Sequence, residues 1–339
     1  CHQILVTSIL QKQTTSSRAF SMNILLKIHS NHRLYALMFI TLIAGCRKAN
    51  DCDSNQIDQS RGACDVTLTE ASSFVMTING SQRLFTSNSI PNHKVGLFGS
   101  GSGSLNPNAI TAQASSYGVP LQPVFAATMT PLLSTSGSGP ASGPQFSFGL
   151  LLNGVELDPI AAEPFPHTRP VGPSANWEWN LEAINVKIGL DCNNAHVQPN
   201  GKYHYHGSPL NFLDSINAMP GEMTLMGYAA DGFPIYDQYG HEHAGDSSSA
   251  IVRLTSSYRL KVGERPGDGR SAPCGIYDGA YSNDYEYVLG LGTLDEANGR
   301  SGVTPEYPTG TYYYVITDEF PSIPRYHKGS PSQDFKIGP

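Results

Sequence analysis

The chain has 339 residues, of which 39% are hydrophobic and only 14% charged, and it is rich in loop formers, with 34 Gly and 24 Pro. That is enough apolar material for a core, and it points away from a disordered or mainly helical chain towards a loop-rich β protein. A formal net charge of −7 argues against the basic face that nucleic acid requires, so no nucleic-acid partner is expected.

Taken in chain order, residues 1–21 precede Met22 and are read as upstream of the mature protein. From Met22, MNILLKIHSNHRLYALMFITLIAGC sets Lys27 and Arg33 before an apolar run from Leu34 to Gly45. The run has about the length of a secretory h-region and is too short to span a bilayer comfortably. Residues 22–45 are therefore expected to be a signal peptide. The end of the run, Leu42-Ile43-Ala44-Gly45-Cys46, resembles a lipoprotein box with Cys46 as the lipid-bearing residue; ordinary cleavage or an uncleaved anchor helix is the alternative. Residues 1–45 hold four bases and no acid, so their removal takes the formal charge of −7 down by four, to −11. The expected product is exported, and is either held at the membrane by an N-terminal lipid or extracellular.

Residues 46–65 are polar and nearly free of aliphatics, which reads as a tether. With Cys1 and Cys46 set aside, Cys52, Cys64, Cys192 and Cys274 remain, an even set suited to disulfides in an oxidising compartment, with three possible pairings. The favoured pairing is Cys52–Cys64, local in the tether, with Cys192–Cys274 closing a long loop. Cys192, four residues before His196, is alternatively a thiolate metal ligand.

Residues 66–339 read as one β-rich domain, a sandwich or barrel-like fold with few short helices; α+β is the alternative. VTLTEASSFVMTINGSQRLFTSNSI, from Val66, alternates around an Asn-Gly turn and predicts a strand pair. The Gly/Ser/Pro-rich stretches at 99–108 and 134–144 are loops. FSFGLLLNGVELDP, residues 146–159, predicts strand, Asn-Gly turn and strand, whereas residues 177–192 suit helix or strand equally, because Leu181, Ile184 and Ile188 are spaced for either.

The chemistry concentrates in NAHVQPNGKYHYHG, residues 194–207. Side chains alternate across a strand, so His204 and His206 project from one face while Tyr203 and Tyr205 project from the other. If Pro199-Asn200-Gly201 forms the turn, a symmetric register sets His196 opposite His204 and Asn194 opposite His206. Three imidazoles then share one face, the arrangement of many transition-metal sites that keep a position open, with copper or zinc suited to neutral imidazole. Asp191, Asp231, His241 and His243 are further candidate ligands, and Tyr203, Tyr205 and Asn194 are candidate supporting residues around the metal. YHYHG shares the H-x-H-G pattern of multicopper oxidases, but no distal H-C-H cluster accompanies it. The chain has no Walker loop, no G-x-S-x-G, no H-E-x-x-H and no dinucleotide fingerprint in a strand-turn-helix setting, so no nucleotide cofactor is expected.

Four blocks in order carry a resemblance: GLDCNNAHVQPNGKYHYHG, LMGYAADGFPIYD, LDEANGRSGVTPEYPTGTYYYVIT and FPSIPRY. Together they resemble the YHYH protein family, with Tyr203-His204-Tyr205-His206 as the eponymous tetrapeptide, over roughly residues 146–339. His196 belongs to the same motif, and Asp231, Gly232, Phe233, Pro234 and Tyr236 match a second block; Asp237-Gln238 departs from it, a Gly being expected there. The resemblance implies an exported, often lipoprotein-like protein and metal binding at the motif histidines, and it implies no particular activity.

Three functions follow. The first is an extracytoplasmic domain binding copper or zinc through His196, His204 and His206, which becomes a metal-dependent hydrolase or oxidoreductase if a coordination position stays open. A second is a non-catalytic surface module for polysaccharide or protein, suggested by the Tyr and Gly/Ser-rich loops. In the third, a purely structural metal is closed by a fourth ligand such as Asp191 or His243.

Overall fold

The computed structural model describes Cys52 and residues 56–136 and 142–338. Residues 1–21, the expected signal peptide at 22–45 and the expected lipidation site Cys46 lie outside the described residues. The described chain is mainly β, with one short α-helix, α1, Leu210–Ser215. None of its helices is long and apolar enough to cross a membrane.

Eight strands build the central sheet: β1 (Gly149–Leu151), β2 (Glu156–Leu157), β3 (Ala195–Val197), β4 (Tyr203–Tyr205), β5 (Leu225–Ala229), β6 (Pro234–Tyr236), β7 (Gly299–Gly302) and β8 (Thr311–Val315). Their order is β3-β4-β2-β1-β5-β6-β8-β7, an open sheet and not a closed barrel. β1 and β2 form the expected hairpin over Asn153-Gly154, with Leu150 paired to Glu156. β5 and β6 form a second hairpin over Asp231-Gly232. β4 joins the sheet by pairing in parallel with β2, and β6 pairs in parallel with β8.

Alternation sorts the core onto the two faces of this sheet. Leu151, Leu157, Ala195, Val197, Tyr203, Tyr205, Ala229, Ile235, Tyr312 and Tyr314 belong to the largest buried cluster. On the other face, Leu150 and Tyr228 pack with Phe85, Tyr117 and Val119 of a three-stranded sheet formed by Phe74–Asn79, Gln82–Ser87 and Ser115–Pro120. Tyr236, Tyr313 and Val315 fill a further cluster there. The layering is sandwich-like. At the β3-β4-β2 end, the face opposite the large cluster carries His196, His204 and Glu156 in place of apolar side chains.

Two expectations are corrected. Cysteine pairing runs Cys52–Cys274 and Cys64–Cys192, in place of Cys52–Cys64 and Cys192–Cys274. Sequence proximity favours the local bridge, but residues 56–65 lie along the domain: Ile57 bridges Val186, Gly62 bridges Asp191, and the Gly62 N–H donates to the Leu190 carbonyl at 2.9 Å. That path carries Cys64 to Cys192, and the disulfide removes Cys192 as a thiolate ligand. By the same contacts, the described end of the stretch read as tether, residues 56–65, belongs to the folded unit. The ambiguous 177–192 segment is strand only over Asn176–Asn180 and then turns, its Leu181 and Val186 closing a small cluster with Phe165 and Trp179.

Candidate metal centre

The hairpin of β3 and β4 forms in the symmetric register, with Ala195 paired to Tyr205, His196 to His204 and Val197 to Tyr203. Its turn closes through Gln198 N–H to the Lys202 carbonyl at 2.9 Å and Gly201 N–H to the Gln198 carbonyl at 2.8 Å. Gly201 sits at φ +86, and a Cβ there would run into Thr111 Oγ1. Gly201→Ala combines a left-handed backbone with that clash, so it is expected to cost about 2 kcal/mol or more in urea unfolding and to weaken whatever the three histidines bind. Past the turn, the His206 N–H donates to the Asn194 carbonyl at 2.7 Å, so the register extends to the third histidine.

The three imidazoles converge. Ring centroids are 4.8 Å apart for His196 and His204, 4.7 Å for His196 and His206, and 4.7 Å for His204 and His206, a nearly regular triangle. Nε2 of His206 lies 2.9 Å from Nε2 of His204 and 3.1 Å from Nε2 of His196. Neighbouring nitrogens on one zinc or copper ion are separated by roughly 3 Å, given bonds of about 2.0–2.1 Å.

The proton positions on the three rings bear on what these contacts can accept. Nδ1 of His196 faces the Ile188 carbonyl at 3.0 Å and Nδ1 of His204 faces the Lys202 carbonyl at 3.4 Å, so both rings carry their proton on Nδ1 and present bare Nε2 lone pairs. His206 has one proton to give. Placed on Nε2, it satisfies one neighbour, opposes the other and leaves a buried Nδ1 without a partner. Placed on Nδ1, it leaves three lone pairs facing one another. A single cation could meet all three lone pairs at once.

Burial holds the cluster neutral. His204 and His206 are each 2% exposed, and desolvation, followed by the neighbouring imidazoles, pushes both well below the usual histidine range. His196 shifts the same way for the same leading reason. Neutral imidazoles are the form that ligates.

Among the described residues the metal-competent group comprises His196, His204 and His206 and does not include the other candidates. Asp191 lies on the tyrosine side of the strand, where Oδ2 accepts from the Tyr203 hydroxyl at 2.8 Å and Gly96 N–H at 2.9 Å. Asp231 is used inside the fold, accepting from the Tyr314 hydroxyl at 2.6 Å and Gly329 N–H at 2.8 Å. His241 lies on a separate strand pair, Tyr239–His241 with Ile251–Arg253, and His243 follows it on the surface. Asn194 keeps its register position, but its side chain turns away to Arg61 Nε at 2.7 Å and the Ser208 carbonyl at 2.9 Å.

Tyr203 and Tyr205 project away from the histidines, as alternation requires. The Tyr205 hydroxyl donates to His93 Nε2 at 2.6 Å and accepts from Asn153 Nδ2 at 2.9 Å, and burial raises the pKa of both phenols. The two tyrosines therefore support the strand from behind. His93, a partner in this array, carries no motif of its own in the sequence.

The histidines line one wall of a cleft of about 1110 Å³, together with Asp158, Glu163, Arg169, Lys187 and Lys202. Glu156 is buried beneath it, accepting from Lys202 Nζ at 2.9 Å and from the Tyr117 hydroxyl. Asp158 and Glu156 were legible as a signal: two acids spaced i, i+2 on a strand between an Asn-Gly turn and Pro159 place both carboxyls on one face.

A family model described as YHYH protein matches residues 116–329. No curated protein and no solved structure matches the chain.

Proposed function

We propose a metal-binding role for this chain, which belongs to the YHYH protein family: His196, His204 and His206 hold one transition-metal ion, copper or zinc, at one wall of the cleft. The observation that carries the reading is the convergence of three Nε2 atoms through contacts of 2.9 and 3.1 Å, with the Nδ1 atoms of two of the rings facing backbone carbonyls. Imidazole ligands suit both ions, and three protein ligands facing a cleft leave room for a further ligand from solvent.

The reading includes export through residues 22–45 and lipid attachment at Cys46, with the lipid as the membrane contact. Two disulfides suit an oxidising, extracytoplasmic compartment. Loss of fatty-acid label in Cys46→Ala tests the anchor.

The metal is tested by elemental analysis of the full chain made in an oxidising compartment, beside a His204→Ala/His206→Ala double variant. The expected result is about one equivalent of copper or zinc in the parent and a loss of affinity of a hundredfold or more in the variant. Equal affinity for added Cu(II) and Zn(II) in both proteins would overturn the proposal.

A further inference from the structure

Asp158 lies in the cleft without belonging to the histidine cluster. Its N–H donates to the Tyr205 carbonyl at 2.9 Å, and the parallel register that pairs Glu156 with His204 and Leu157 with Tyr205 continues one step to set Asp158 beside His206. The period of two puts its carboxyl on the face of Glu156, His204 and His206, while Leu157 points into the core. Asp158 is 4% exposed; Oδ2 accepts from Gln198 Nε2 at 3.1 Å, and Oδ1 has no partner. It lines the same cleft as the three histidines yet stands outside the group able to coordinate one ion. A buried acceptor in that position is left to bond with whatever occupies the cleft.

We propose, resting on the metal-binding reading above, that Asp158 determines which ligand takes the open position on the histidine-held ion. It accepts a hydrogen bond from a ligand whose metal-binding atom, or the atom next to it, carries O–H or N–H, such as water, an alcohol or a hydroxamate, and it repels aprotic anions. The charged groups around it are Glu156 two residues before it, Lys202 just before the neighbouring strand, and Arg325, with the neutral His206 ring beside it. Burial and then Glu156 push its carboxyl up to about 7, with Lys202 and Arg325 opposing, so the comparison is made at pH 8, where it is a carboxylate.

The test uses the full chain loaded with Co(II), whose visible spectrum reports ligand exchange directly, titrated with azide and with acetohydroxamate. Asp158→Asn and Asp158→Ala are expected to retain one equivalent of Co(II), to bind azide about tenfold or more tightly because a nearby buried charge is gone, and to bind acetohydroxamate at least about fivefold more weakly. Azide and hydroxamate affinities within about twofold of the parent in Asp158→Asn would overturn the proposal. Loss of Co(II) from Asp158→Asn would also overturn it, making the carboxylate a support of the ion itself. Failure of the parent to bind Co(II), Cu(II) and Zn(II) alike is a separate result that removes the metal-binding reading and this one together. If Asp158→Ala does not fold, the nearly isosteric Asp158→Asn carries the comparison.

Discussion

Asp231→Ala is expected to lower the free energy of unfolding by about 3–5 kcal/mol while leaving the affinity of the histidines for added metal unchanged. Asp231 is 1% exposed, and its two oxygens accept three hydrogen bonds: from the Tyr314 hydroxyl, from Gly329 N–H and, at 3.3 Å, from Phe233 N–H. These join the β5–β6 hairpin to β8 and to the Tyr326–Gly329 strand, three pieces of chain separated by up to 98 residues. Alanine strands each donor in a buried setting, at about 1–3 kcal/mol apiece before relaxation. Asp231→Asn keeps an acceptor oxygen and is expected to lose roughly half as much. Urea unfolding and a metal titration on the same samples decide the matter: a cost below about 1 kcal/mol, or a weakened metal site, would return Asp231 to the role of ligand.

The second large effect is in the pH dependence. Burial raises the Asp158 carboxyl from an ordinary value of 3.8 to about 7, so between these limits the unfolded chain has released a proton that the folded chain retains. The folded state is then favoured at low pH, and stability falls as pH rises from about 4 to about 7, by roughly 3–4 kcal/mol from this group alone. The three histidines act in the opposite sense: burial lowers them below 6.5, so their contribution is present above that value and is lost as pH falls through it. Subtraction separates the two. Metal-free Asp158→Asn, compared with the metal-free parent, is expected to be more stable at pH 8 by up to about 3–4 kcal/mol and nearly equal at pH 4. A constant difference across that range would show that the carboxyl is not the titrating group.

Export and lipidation rest on residues outside the described structure, whereas the histidine hairpin could be read from the sequence in nearly its final form. A turn of Pro199-Asn200-Gly201 flanked by alternating side chains leaves little freedom, and the observed pairing of His196 with His204 follows from short-range geometry. The same holds for the Asn153-Gly154 hairpin. Candidates chosen by residue type alone fared differently. Asp191 is two residues from its own hydrogen-bond partner Asn193 and five from His196, yet it serves the tyrosine side. Nearness along a chain does not specify a face once the chain turns.

What the sequence determined by itself is therefore what local sterics and the period of two control: β class, the hairpins, and which face of the β4 strand carries imidazole and which carries phenol. Only the tertiary structure decided the partners that lie far apart in the chain. The parallel pairing of β4 with β2 brings Glu156 and Asp158 to the histidines across almost 50 residues, and the path of residues 56–65 along the domain selects Cys64–Cys192 over the nearer bridge. Such pairings are set by the order of strands in the sheet and by the burial of its two faces, a balance of many contacts that no single stretch of sequence contains.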